Sequence, residues 1–404
     1  MKADKWLEIN LVGLVVLGAL AFGASKLMDM SAELTRLQTT VSSASSQVNA
    51  IAHEVPDVAA VDQRKFEQSL AAARRRNAAT YALTGAESIS ESLYVPVGGI
   101  EQWISIRGES GKNPVILFLH GGPGAATNPW AYPYFRAWEK YFTVVQWDQP
   151  GAGRTLGRNG PPAAGLLTVD RVVKDGIELS EYLRGHLHKS RIILVAQSWG
   201  SLVGVLMVKA RPDLFSAFVG TGQIVDPAQA DRIAYRMARQ TASARNDAQA
   251  AAALKAAGPP PYQAGSPGDK LFDQWRRLCE GDDTGRFLAG RIGLALTAPG
   301  YTIHDVDDWR DGRALSAHTL GPQEAALKPQ RLAGTFSIPM FVFQGAHDCT
   351  APAQLAQRYI ESIKAPTKAY VAIPNAGHFA VFMQSYQFLQ QLLMRVRPLA
   401  MASD

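Results

Sequence analysis

Short, uninterrupted apolar runs that alternate with longer stretches of helical spacing constrain this chain more than any other feature. The runs Pro114–Leu119, Phe142–Trp147, Arg191–Ala196, Ser216–Val219, Pro339–Phe343 and Ala369–Ile373 read as strands, and segments 168–187, 200–210, 352–363 and 382–396 read as helices between them. Strands with no polar alternation are buried on both faces, which requires a mostly parallel sheet covered by helices on both sides. Ahead of them, residues 92–108 alternate around Gly98-Gly99, the pattern of an antiparallel hairpin. The alternation stops over 225–335, where the chain is Ala-rich (Ala228 to Ala257) and then passes through Gly258-Pro259-Pro260-Pro261. With no strand-like run, this block reads as a helical cap over the C-terminal ends of the strands, where open α/β sheets bind ligands. The core is therefore expected over 92–224 and 336–404, with the cap at 225–335.

The strand ending Leu194-Val195-Ala196-Gln197 runs into Ser198-Trp199-Gly200 and then a helix. A serine at a strand-to-helix turn with small neighbours has the form of a nucleophile elbow; the bland alternative is a helix N-cap serine. An elbow needs an oxyanion hole, and His120-Gly121-Gly122-Pro123-Gly124 follows the strand that ends at Leu119. Without side chains that backbone can turn an N–H, that of Gly122, toward the serine, with the N–H of Trp199 at the start of the next helix as its partner. The phosphate-loop ending G-K-[ST] is missing.

A serine hydroxyl needs a general base, and among eight histidines His378, just past the last strand, has the right placement. His347 and His318 read as surface residues. Asp348, after the preceding strand, is the candidate to orient the imidazole, with Asp226 as the fallback. The order Ser198, Asp348, His378 is that of the α/β-hydrolase fold.

Together His120-Gly121-Gly122-Pro123-Gly124, Gln146-Trp147-Asp148-Gln149-Pro150-Gly151-Ala152-Gly153-Arg154, Gln197-Ser198-Trp199-Gly200-Ser201, Gly345-x-x-Asp348 and Gly377-His378 resemble the proline iminopeptidase family of α/β-hydrolases. The resemblance implies a serine hydrolase working through an acyl-enzyme, with Ser198 as nucleophile, His378 as base, Asp348 as orienting acid and Gly122 and Trp199 as oxyanion donors. It implies cleavage of N-terminal residues from small peptides, the free amino group being held by acidic cap residues, for which Asp273, Glu280, Asp282 and Asp283 are candidates. A carboxylesterase or amide hydrolase for small uncharged substrates is the alternative, and a non-catalytic, membrane-tethered scaffold the third reading. The chain departs from the family at Pro150, Ala196 and Gly220-Thr221-Gly222-Gln223. The cap aromatics Tyr235, Tyr262, Phe272, Trp275, Phe287, Tyr301 and Trp309 suit either an apolar acyl group or the cap's own core.

Residues Ile9 to Ser25 carry no charge, and Lys2 and Lys5 precede them. Segment 1–25 is expected to be one membrane anchor, or else a cleaved signal peptide. Leu27, Met30, Leu34, Leu37, Val41, Ala44, Val48, Ile51 and Val55 keep a 3,4 spacing, so 26–56 reads as a helical stalk ended by Pro56, with a homo-oligomer through it as one outcome. A basic connector covers 57–91. The slight positive bias before the span places the catalytic part outside the cytoplasm, or secreted if the signal is cleaved. Across 404 residues the net charge is +6, with no basic patch interleaved by aromatics, so no nucleic-acid partner is expected. No H-E-x-x-H, dinucleotide fingerprint or paired-cysteine site is present, and no metal or organic cofactor is expected. The two cysteines, Cys279 and Cys349, match neither zinc nor redox spacing.

Overall fold

The apolar runs assemble into one eight-stranded sheet in the order β1-β2-β4-β3-β5-β6-β7-β8. The computed structural model describes residues 56–262 and 266–402. The strands are β1 (Ile89–Val97), β2 (Ile100–Gly108), β3 (Val115–Leu119), β4 (Thr143–Trp147), β5 (Ile192–Gln197), β6 (Phe215–Thr221), β7 (Met340–Gly345) and β8 (Lys368–Ile373). The first two form the expected hairpin, its two-residue turn built by Gly98 and Gly99 at φ +57° and +78°. β2 also pairs antiparallel with β4, and every later pairing is parallel.

Strands β3 to β7 are buried throughout. On β3 the two faces separate cleanly, because successive side chains point to opposite sides. Leu117 and Leu119 join a cluster with Leu179 and Leu183 of α3 (Val169–His186) and Leu202 of α4 (Trp199–Ala210). Phe118 faces the other way, 4.9 Å from Phe135 and 5.8 Å from Phe382 between ring centroids. Helix α4 is buried on every side, as an apolar helix in the middle of a core must be.

The segment read as a connector is largely helix. α1 (Pro56–Thr80) starts at the proline expected to end the stalk, since proline fits the first turn where its missing N–H has no helical acceptor. Its Ala, Gln, Glu and Arg content favours that state. The chain divides between Ala79 and Thr80 into two units, and the sheet and the cap belong to the second. The anchor expected over 1–25 and, apart from Pro56, the stalk expected over 26–56 lie outside the described residues. Among the described residues no helix is long and apolar enough to cross a membrane.

The cap block is helical: α5 (Pro227–Ala244), α6 (Ala248–Ala257), α7 (Pro267–Trp275), α8 (Asp282–Leu296) and α9 (Ile303–Ala325), with short α2 (Gly153–Asn159) packed in the core. Caps written in the sequence set their starts: Asp226, Asp247 and Ser266 each accept the N–H three residues on, and Thr302 with Asp305 forms a capping box. Arg154 joins core to cap, its Nε 2.9 Å from Asp305 Oδ1 and its guanidinium stacked over Tyr301 at 3.9 Å. The single helix expected over 382–396 is interrupted. Ala380–Met383 and Ser385–Gln391 are separate, because Gln384 leaves helical geometry and Ser385 is tied down. Its Oγ donates to Tyr134 O at 2.6 Å and lies 3.1 Å from Trp138 Nε1.

Candidate active site

Ser198 sits between β5 and α4 with φ +54° and ψ −123°, a conformation that costs a non-glycine residue about 1–3 kcal/mol and persists only where surroundings enforce it. They do so here: Ser198 N–H donates to Thr221 O at 2.9 Å, and Ser198 O accepts from the Ser201 N–H at 2.7 Å and its hydroxyl at 2.6 Å. The side chain does not cap α4. Its Oγ lies 2.8 Å from His378 Nε2 instead. The Ala196 methyl is accommodated because Gly204 opposite has no side chain; a Cβ there would stand 3.2 Å from Ala196 Cβ.

His378 Nδ1 faces Asp348, 3.0 Å from Oδ2 and 3.2 Å from Oδ1. Asp348 is fully buried and its remaining acceptor capacity is used: Gln344 Nε2 donates to Oδ2 at 2.6 Å and the Ala351 N–H to Oδ1 at 2.8 Å. This leaves the Asp348 carboxylate one orientation and gives the imidazole the tautomer that accepts from Ser198. Gly222 makes room for the ring. A Cβ there would stand 2.8 Å from His378 Cε1, so the unusual Gly220-Thr221-Gly222-Gln223 segment forms the floor under the imidazole. Gln223 N–H donates in turn to Gln344 Oε1 at 3.0 Å. Asp226, the fallback acid, is instead the N-cap of α5, and His347 and His318 are exposed.

The glycine loop after β3 lies against the serine. A Cβ on Gly121 would stand 3.0 Å from Ser198 Cβ and would overlap Gln197 Oε1. Its shape is locked by His120, whose Nδ1–H donates to Gly121 O at 2.9 Å and whose Nε2 accepts the Gln149 N–H at 3.3 Å. Burial pushes the His120 pKa down to about 4, so the ring stays neutral and can hold both bonds. Gln149 then bridges to Trp199, accepting its indole N–H at 3.0 Å while donating to His120 O at 3.3 Å. The Gln146–Arg154 motif thus fastens the glycine loop to the elbow helix. Gly122 lines the cavity beside Ser198, and Trp199 opens α4, where the first N–H groups have no helical acceptor.

A second carboxylate, not assigned to this position from sequence, stands behind the imidazole. Glu280 Oε2 accepts the His378 N–H at 3.3 Å, and its Oε1 accepts from Thr350 Oγ1 at 2.9 Å and Thr350 N at 3.3 Å. Burial, then the negative charge of Asp348, raise its pKa. Cys279 and Cys349 are joined in a disulfide, which couples the cap turn carrying Glu280 to the loop carrying Asp348. Glu280 is therefore committed to the histidine loop and is not among the residues lining the cavity over Ser198. Asp273 is exposed and 3.7 Å from Arg276, and Asp283 pairs with Arg286 at the surface. The Asp282 side chain lies outside the described part of the structure. Neither Asp273 nor Asp283 is among the residues lining the cavity; among the described residues the acids that do line it are Asp231 and Glu324.

That cavity, about 310 Å³, opens over Ser198 and His378 and is lined on its cap side by residues of α5, α8 and α9. Its apolar wall comes from Trp130, Phe379 and Phe382 of the core, with Ile224 and Leu288. The cap aromatics go elsewhere. Tyr235 and Phe272, with Tyr262 and Trp275 against them, form the cap's own core. Tyr301 packs with Tyr132, and Trp309 Nε1 donates to Ala126 O at 2.9 Å. Phe287 supports the wall from behind, stacked on Phe382 at 5.9 Å. Among the described residues there is no cluster of side chains able to hold a metal ion.

Residues 114–383 match the family model of the alpha/beta hydrolase fold. The probable aminopeptidase YbaC of Bacillus subtilis is 28% identical over 298 residues, 72% of this chain and 92% of that protein. The proline iminopeptidase of Lactobacillus helveticus is 30% identical over 112 residues, 28% of this chain and 36% of that protein. Among solved structures, the proline iminopeptidase-related protein of Thermus thermophilus matches with a TM-score of 0.53 at 20% identity, covering 78% of this chain and 98% of its own.

Proposed function

The chain is an enzyme of the α/β-hydrolase fold family, and we propose that it is a serine aminopeptidase that releases N-terminal residues from small peptides through an acyl-enzyme. The observation that carries the chemistry is the relay itself: Ser198 Oγ at 2.8 Å from His378 Nε2, with Asp348 Oδ2 at 3.0 Å from Nδ1. Ser198 attacks the scissile carbonyl while His378 takes its proton, and Asp348 stabilises the imidazolium that results. The N–H groups of Gly122 and Trp199 hold the oxyanion of the tetrahedral intermediate. His378 returns the proton to the leaving amine, and water on the same path releases the acid from Ser198.

For the peptide specificity the support is Glu324. It lines the cavity, and its carboxyl is pushed up to about 7 by its enclosure among protein atoms, so it carries charge at mildly alkaline pH. A substrate ammonium beside it would complete the pair. Asp231 is less free, its Oδ1 accepting from Arg276 Nη2 at 2.6 Å.

The test uses the full chain and its Ser198→Ala variant on free and N-acetylated prolyl and alanyl arylamides, beside short acyl aryl esters. Cleavage of the free-amine amides alone, lost in the variant, is the expected result. Ester cleavage indifferent to the amino group makes the enzyme a carboxylesterase, and turnover that survives in Ser198→Ala refutes the assigned nucleophile.

A further inference from the structure

The roof of the cavity is basic. Four arginines, Arg276, Arg277, Arg291 and Arg313, line it against two acids, Asp231 and Glu324. Arg276 is spoken for by Asp231. Among the described residues, Arg277, Arg291 and Arg313 have no carboxylate within ion-pair distance.

Arg291 is the most telling of the three. It is only 6% exposed, and its Nε has no hydrogen-bond partner among the described residues. Its guanidinium lies over Trp130, Phe379 and Phe287 at 5.2, 5.5 and 5.7 Å, so aromatic faces take its flat sides while its edge donors remain unspent. Arg277 Nε is likewise buried and has no hydrogen-bond partner among the described residues. Burial, then the positive charges of Arg313 and Arg277, push the Arg291 pKa down to about 9. Grouping Arg277, Arg291 and Arg313 around one cavity, none with a carboxylate at ion-pair distance among the described residues and Arg277 offset only at longer range by Glu280 and Asp273, opposes folding. A cavity that keeps such a set is shaped for an anion that arrives with the ligand.

We infer that Arg277, Arg291 and Arg313 form a carboxylate site for the substrate, so that the enzyme takes short peptides with a free C-terminus, dipeptides and tripeptides, in preference to long or C-terminally blocked chains. Arg291 and Arg277 supply the buried donors, and Arg313, exposed at the rim, draws the carboxylate in. Guanidinium groups suit this role because their paired N–H edges match the two carboxylate oxygens. The peptide identity of the substrate rests on the aminopeptidase reading; the carboxylate site rests on the arginines alone.

The test compares prolyl-alanine with prolyl-alanine amide, which share the scissile bond and differ in the carboxylate. Calorimetry on the full-chain Ser198→Ala protein should give the free acid a Kd lower by at least about tenfold, the difference expected of a charge-assisted hydrogen-bonded contact. Arg277→Met and Arg291→Met should each shrink that ratio toward one. Arg313→Gln, an exposed change that does not threaten folding, should reduce it severalfold, with cooperative thermal unfolding retained. Equal or tighter binding of the amide, binding of neither peptide, or a ratio that survives all three variants overturns the site. Discrimination by Ser198→Ala without turnover of either peptide by the unaltered enzyme overturns the aminopeptidase reading and leaves the carboxylate site standing.

Discussion

Alanine at position 222 places a methyl group 2.8 Å from His378 Cε1 and 3.1 Å from its Nδ1. Carbon atoms pack comfortably at about 3.5 Å, so the ring or the loop beneath it must give by about 0.7 Å. Cε1 lies between the two nitrogens. A push there disturbs both the 2.8 Å approach to Ser198 and the 3.0 Å approach to Asp348. Misplacement of a reacting group by about 1 Å costs roughly a hundredfold, which puts the loss of kcat for Gly222→Ala at about 30-fold, with KM much less affected. The backbone adds its own cost: at φ +54° a residue with a Cβ is disfavoured by roughly 1–2 kcal/mol, a drop in Tm of about 1.5–3 °C for a unit the size of Thr80–Asp404. Gly99→Ala is the matched control. Its φ is +78°, with nothing within 4 Å of the added methyl, so it carries the strain without the collision. The assay is steady-state kinetics and thermal unfolding on both variants. A Gly222→Ala enzyme with unaltered kcat, or a Gly99→Ala enzyme equally impaired, refutes the steric reasoning.

Two further outcomes follow from the same geometry. The Glu324 carboxyl, pushed up to about 7 and facing Arg276, Asp231 and His378, is charged above that pH and neutral below it. Binding of a free-amine peptide to the Ser198→Ala protein should therefore weaken as pH falls through 7, by up to about tenfold per unit, and Glu324→Gln should flatten the profile and weaken binding at pH 8; a profile unchanged by that substitution removes Glu324 from the amine site. Cys279→Ser opens a bridge with a sequence separation of 70 residues, whose loop-closure effect on the unfolded chain amounts to about 4 kcal/mol. Calorimetric unfolding should show a lowered Tm in this variant and an equal lowering when reductant is added to the unaltered protein; a wild type indifferent to reductant contradicts the pairing.

The elements legible in the sequence are those whose pattern is local. Buried strands such as Val115–Leu119 have apolar residues on both faces, so their run is visible without knowing their neighbours. The Gly98-Gly99 turn, the cap block and the helix starts at Asp226, Asp247 and Thr302 are written in residue types that act on their own backbone. Ser198, Asp348 and His378 are legible for a related reason: each follows the end of a strand, and parallel strands deliver their ends to one edge of the sheet. The break in the helix expected over 382–396 is not legible, because it depends on Ser385 reaching Tyr134 and Trp138, residues far away in sequence.

What the sequence determines by itself, then, is the layered fold, the strand ends and the set of side chains that chemistry would need there. Which charged cap residues line the cavity was decided only by the tertiary structure. Glu280 has the same composition-level claim on the cavity as Glu324, yet it turns behind His378 to satisfy an N–H and Thr350, while Glu324 and the arginines of α8 and α9 line the open space. The helical pattern of the cap marks which residues share a face. It carries no information on how five short helices tilt against one another, because that is set by packing between the Tyr235–Phe272 cluster, the Arg154–Asp305 tie and the Cys279–Cys349 bridge, each made by residues distant along the chain.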